Sequence, residues 1–162
     1  MPASRNARTV PEMADRDTLL SMSGLAFMQG IRDGTLPPAA IAETLRYRIG
    51  EVEEGRVTFL GAPRAEHGNP MGVVHGGWYG TLLDSAMGCA VMTKVPKGSV
   101  YTTLEYKINI IRPIPLGTEV VATGTTSHAG RSTGVAEGTI RGVADGRLYA
   151  TGSTTCLIMK MP

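Results

Sequence analysis

Between Gly76 and Thr93 the chain carries one formally charged side chain, Asp84, in a run of small and large apolar residues. The apolar stretch continues to Val95 and includes Leu82, Leu83, Ala86, Met87 and Met92. Its length predicts a helix over Gly76 to Val95, because strands rarely extend so far. A helix that is apolar around its whole circumference has to be enclosed. Beyond Pro96-Lys97-Gly98 the chain turns rich in Thr, Val and Ile over Tyr101 to Ile111, Glu119 to Ser127, Arg131 to Gly142 and Arg147 to Met159. Short turns separate these runs, containing Pro115-Leu116-Gly117, Ala129-Gly130 and Asp145-Gly146. Four consecutive strands joined so tightly predict an antiparallel sheet, not a parallel βαβ one. Upstream, Tyr47 to Val52 and Arg56 to Gly61 flank Glu53-Glu54-Gly55 and predict a hairpin. The expected fold class is α+β, with a sheet of about six strands wrapped around one central helix.

The N-terminal part has a different character. Residues 1–16 mix Arg, Asn, Pro and Ser without periodicity and predict a loose arm. Residues 17–46 predict helices that cover the main domain. Leu20, Leu25, Met28 and Ile31 recur at roughly helical spacing from Asp17 to Asp33, where Asp33-Gly34 stops the helix. Pro37-Pro38 then opens a second helix, Ala39 to Arg46. The remaining residues, 47–162, form the wrapped-helix domain. A chain of 162 residues suits one such core without staples.

Charge and composition exclude several function classes. The net charge is +2 and the basic residues are dispersed, so no electrostatic footprint for nucleic acid exists. No run reaches the ~18 apolar residues of a membrane span, and the N-terminus lacks the apolar segment of a secretory leader. Cys89 and Cys156 lie in apolar surroundings without metal-ligand spacing and read as buried free thiols, which suits a reducing compartment. A soluble cytoplasmic protein is expected.

Asp84 is the residue that asks for an explanation. A carboxylate among apolar side chains is costly unless hydrogen-bonded, and desolvation raises its pKa. It either bridges a buried donor or serves as a base or nucleophile tuned toward neutrality. His75-Gly76-Gly77 stands where the helix begins, and first-turn amides have no intrahelical partner and lie at the positive end of the dipole. Such amides stabilise an oxyanion when a carbonyl is attacked. Gly77 and Asp84 are nearly two turns apart, about 10 Å along one face that Thr81 and Gly88 keep small. One helix therefore cannot bring acid and amide to one carbon, and a neighbouring chain could supply the missing half.

The run Asn69-Pro70-Met71-Gly72-Val73-Val74-His75-Gly76-Gly77, with Asp84 seven residues on, resembles the hotdog-fold acyl-CoA thioesterases of the phenylacetate-degradation (PaaI) type. Thr103 to Pro113 resembles the family's third strand, His128-Ala129-Gly130-Arg131-Ser132 its next hairpin, and Asp145 to Gly152 its last. The likeness runs from about Leu36 to Met159. It implies a homodimer whose sheets join edge to edge to make two sites, with a homotetramer expected above it. Asp84 would be the catalytic carboxylate, as general base or nucleophile. The Gly77 N–H would polarise the thioester carbonyl, Asn69 would hold the carbonyl or the water, and Thr103 from the facing protomer would complete the site. Thr102 competes for that last role, because successive strand residues point to opposite faces. The CoA nucleotide would lie by the His128-Gly130-Arg131-Ser132 hairpin, with Arg112 a second phosphate candidate. Such chemistry needs no cofactor, since a thiolate leaves without a strong acid.

Other residues carry readings of their own. His75 orders the loop before the helix or joins the site. Trp78 and Tyr79 line an acyl pocket or belong to the core. Ser85, Ser132 and Ser153 lack the Gly-x-Ser-x-Gly context of a serine nucleophile, and His67, His75 and His128 have no metal-ligand spacing. Two alternatives to hydrolysis stand: a hydratase or dehydratase of acyl thioesters on the same fold, or an acyl-CoA sensor without catalysis.

Overall fold

The computed structural model of the chain describes residues 14–162. The expected loose arm lies mostly outside the described residues. Three short helices come first, α1 (Arg16–Ser21), α2 (Gly24–Asp33) and α3 (Ala40–Thr44). The single helix expected from Asp17 to Asp33 is thus two. The apolar spacing continues across the break, but Ser23 turns to extended backbone and accepts from the Ala26 N–H, capping a new helix. Gly34 closes α2 in the left-handed conformation, at φ 77°.

Strands β1 (Tyr47–Glu53) and β2 (Arg56–Gly61) form the expected hairpin. The long helix α4 (Gly76–Met92) follows, then β3 (Ser99–Ile110), β4 (Val120–Ala129), β5 (Thr133–Gly142) and β6 (Leu148–Lys160). All six strands pair antiparallel in the order β1-β2-β4-β5-β6-β3. One expectation fails in detail. β3 and β4 are not joined by a hairpin: β3 crosses to the far edge and pairs with β6. The link between them dives inward, where Ile114 is buried and its N–H donates to the Tyr79 hydroxyl at 2.8 Å.

The sheet wraps α4, the hotdog arrangement that the family resemblance implies. A row of glycines lets the helix come close: Gly124 pairs with Gly138, and Gly138 with Gly152, across three neighbouring strands. A Cβ on Gly124 would collide with the Ala86 carbonyl, and one on Gly138 would stand 3.0 Å from a Leu83 methyl. Leu82, Leu83, Ala86, Met87 and Val91 are fully buried. Each large side chain so enclosed is worth about 1.5–3 kcal/mol. At the far end of α4 Thr93 accepts from the Gly55 N–H at 2.7 Å, tying the β1–β2 turn to the helix. Among the described residues no helix is long and apolar enough to cross a membrane.

Candidate active site

Asp84 lies on the side of α4 that faces β3. Four positions one turn apart form that side: Gly76, Gly80, Asp84 and Gly88. Each is met by a β3 residue. Ile110 approaches Gly76, the Tyr106 phenol lies over Gly80, Thr103 meets Asp84, and the Tyr101 phenol lies over Gly88. The glycines leave room for two aromatic rings against the helix backbone, and the acid is the one side chain between them. The Thr103 hydroxyl donates to Asp84 Oδ1 at 3.0 Å. Of the two threonines, Thr103 is the one that faces Asp84, and Thr102 is exposed on the other face. Within one chain, Thr103 thus already reaches Asp84.

Asp84 is half-buried, and loss of water raises its carboxyl pKa above the ordinary value, the Thr103 hydrogen bond pulling the other way. Around it stand groups that stay neutral. Burial pushes the Cys89 thiol up to about 12 and raises Tyr101, Tyr47 and Cys156, with the Asp84 charge adding to each. Tyr47 shares a hydrogen bond with Ser85 at 2.9 Å. Among the described residues the acid therefore sits in a weakly polar ring without a neighbouring cation, the environment of a base whose proton affinity is turned up.

The loop before α4 is tied by short-range bonds. Asn69 Oδ1 accepts from the Met71 N–H at 2.9 Å, the Asn69 N–H donates to Val73 O at 2.8 Å, and Gly72 turns at φ 77°. The Asn69 amide oxygen is thus spent on the loop, which leaves its NH2 as the group to offer a ligand. His75 caps the helix: its Nδ1 accepts from the Gly77 N–H at 2.8 Å. Within one chain the Gly77 amide thus already has an acceptor. Among the described residues no acceptor meets the Gly76 N–H, the neighbouring first-turn amide. In the sequence the two adjacent glycines look alike until the cap is placed. A histidine at the N-cap, able to reach two residues on, was the available signal.

Gly76 and Asp84 are eight positions apart, about 12 Å along the helix, with the Tyr106 ring between them. Acid and free amide of one chain do not converge. The other expected residues are scattered. His67 is buried and structural: its Nδ1 accepts from the Arg64 N–H, its Nε2 donates to Thr44 O, and its ring stacks on Trp78. Trp78 and Tyr79 are core residues, Trp78 bonding Leu45 O at 2.9 Å and Tyr79 bonding the Ile114 N–H. His128, Gly130, Arg131 and Ser132 are exposed at the β4–β5 turn. That turn adjoins Gly134, which pairs with Cys156, itself the partner of Thr103, so it lies about two strand spacings, ~10 Å, from the acid's row. Arg112 stands at the opposite end of β3 and bonds Leu148 O at 2.6 Å. One chain does not bring the two arginines together. No group of three His, Cys, Asp or Glu side chains arranged for a metal occurs among the described residues.

Comparison with known proteins fits this geometry. The thioesterase superfamily model matches residues 71–149, from the loop before α4 into β6. Mouse acyl-coenzyme A thioesterase 13 is 29% identical over 90 residues, 56% of this chain and 64% of its own length. The chain thus matches less than two thirds of that relative. A conserved protein from Pseudomonas aeruginosa is 30% identical, covering 75% of this chain and 95% of its own, with a TM-score of 0.70. A mutant of the phenylacetic acid degradation protein PaaI from Thermus thermophilus is 26% identical over 72% of this chain and 96% of its own, at TM-score 0.66. By matched span, wrapped-helix fold and acid-bearing α4 together, the chain belongs to the thioesterase superfamily.

Proposed function

We propose that the protein hydrolyses acyl-CoA thioesters, with Asp84 as general base on water or as nucleophile. The observation that carries this reading is the half-buried carboxylate, alone on an apolar helix, holding the Thr103 hydroxyl at 3.0 Å. A water on that pair would be aimed and deprotonated, and a thiolate leaves readily. The developing oxyanion needs a donor elsewhere. The Gly76 amide of a second copy supplies it, with the Asn69 NH2 beside it. His75 acts as the cap that fixes this turn.

Assembly follows from the same argument. β3 is an edge strand bearing exposed Leu104, Tyr106 and Ile110, with exposed Ile111 just beyond it. An edge so long and apolar favours pairing with a copy of itself, which sets Asp84 of one protomer near the first turn of the other. A homodimer is the working unit and a homotetramer a further assembly. The exposed His128–Ser132 turn takes the CoA phosphates, with Arg112 of the partner chain as second candidate. No bound cofactor is required, and two free thiols suit the cytoplasm. Thiol release over a panel of aromatic and aliphatic acyl-CoAs tests the activity, the expected outcome being turnover of at least one class. Tight binding with no release from any would favour an acyl-CoA sensor.

A further inference from the structure

Strand β3 carries one residue more than its ladder can pair. Thr103 opposes Cys156 and Glu105 opposes Thr155, so Leu104 has no partner and the register steps there. Side chains alternate across a strand, and one inserted residue exchanges the faces of everything beyond it. Tyr101 and Thr103 face α4 before the step; Tyr106, Ile108 and Ile110 do so after it. Without the step, Glu105, Lys107 and Asn109 would be turned onto the apolar helix. Instead Lys107 and Asn109 line a groove on the outer surface, and Glu105 is exposed. A bulge also tilts backbone carbonyls off the ladder, and each then needs another donor. At this bulge Thr154 supplies a donor. The residue is 1% exposed, and its hydroxyl donates to Glu105 O at 2.7 Å. Thr154 stands two residues from Cys156, the partner of Thr103, yet hydrogen-bonds neither Asp84 nor any amide of the first turn of α4.

We propose that Thr154 is a positioning residue, whose hydroxyl holds the β3 bulge at the register that sets Thr103 on Asp84. This rests on the reading of Asp84 and Thr103 as the reacting pair. A valine at 154 keeps the volume and the branched Cβ but leaves the Glu105 carbonyl without its donor. The bulge then relaxes, and Thr103 loses its aim. The other groups facing Asp84 are Cys89 on α4, Tyr101 on β3, Cys156 on β6 and Tyr47 on β1, all neutral; of these only the Cys156 thiol, which also meets the Thr103 and Thr154 hydroxyls, is touched by the change.

The test combines thiol-release kinetics with an NMR titration of the Asp84 carboxyl in wild type, Thr154→Val, Thr154→Ser, Thr103→Val and the double valine variant. Thr154→Val is expected to lower kcat about tenfold with KM within about twofold. Thr154→Ser recovers most of that loss. The double variant is expected to be no slower than Thr103→Val, because both changes remove one interaction. In the titration each valine variant moves the Asp84 midpoint upward by a similar amount, since each removes the donor that favours the charged form. If Thr154→Val does not fold, Thr154→Ala removes the same donor with less bulk and carries the same expectations. An Asp84 titration that Thr103→Val moves and Thr154→Val leaves in place would overturn the proposal, as would fully multiplicative losses in the double variant. The titration needs no substrate. A wild-type protein inert toward every acyl-CoA would thus refute hydrolysis while the role of Thr154 is still decided.

Discussion

Toward the sheet, α4 presents Leu83, Ala86, Met87 and Val91, fully buried and seated on strands thinned to glycine. Toward β3 it presents Gly76, Gly80, Asp84 and Gly88, a side with little to pack and one ionisable group. The first side anchors the helix so firmly that the second is free to carry a carboxylate whose partial burial works against folding. The contrast teaches a division of labour within one helix. Changes on the sheet side should cost stability and spare chemistry, and changes on the β3 side should do the reverse.

The sharpest break in that contrast is Asp84→Asn. Turnover should fall about a thousandfold or more, read by thiol release, while far-UV circular dichroism and CoA binding stay near wild type. Its stability has a definite sign. Burial raises the folded-state pKa of Asp84 above the ordinary 3.8, so the fold favours the protonated acid and loses stability as pH rises through the raised value. The Asn variant should therefore melt at or above the wild-type temperature at pH 7. That advantage should vanish as pH falls below the ordinary value. For the wild type, kcat/KM should drop on the acid side at a pH above 3.8. A variant less stable than wild type at pH 7 would mean the carboxylate is held by interactions beyond Thr103.

Leu83→Ala probes the opposite side. It should cost about 3 kcal/mol in urea denaturation and leave kcat per folded molecule within about threefold. A collapse of kcat in the folded fraction would erase the distinction between the two sides. Gly80→Ala is a finer probe. Alanine favours the helix by about 1 kcal/mol, but its Cβ would stand 3.1 Å from the Tyr106 hydroxyl. Tyr106 is half-exposed and its far end can shift, so stability should change little while kcat falls severalfold. Arg131→Ala lies off the helix and should have the smallest effect, a rise of about threefold in KM for CoA substrates without change in kcat.

Much of this layout was legible in the residues. The apolar run with one acid predicted α4, and Thr/Val/Ile runs between glycine turns predicted the later strands, because both signals are local. The break at Ser23 escaped because the helical spacing of Leu20, Leu25 and Met28 continues across it. The crossing of β3 to the far edge was hidden because Pro113 and Pro115 suggest a turn, whereas what directs the link is the burial of Ile114 under Tyr79. At the site, Asp84 stood out by charge alone. The assignment of the open amide to Gly76, and the same-chain reach of Thr103, depend on a histidine rotamer and on one unpaired strand residue. Neither leaves a periodic trace.

That unpaired residue has a bearing on how such a chain can change over time. Leu104 is 58% exposed, and its side chain does nothing that another would not do at the surface of one subunit. Its presence in the count of residues is what matters. For the register of one subunit any residue serves there, though a polar one would weaken the apolar edge, whereas a one-residue deletion would carry Lys107 and Asn109 inward and expel Tyr106 and Ile110. At this point the gene tolerates one apolar residue respelled as another but not a change in length.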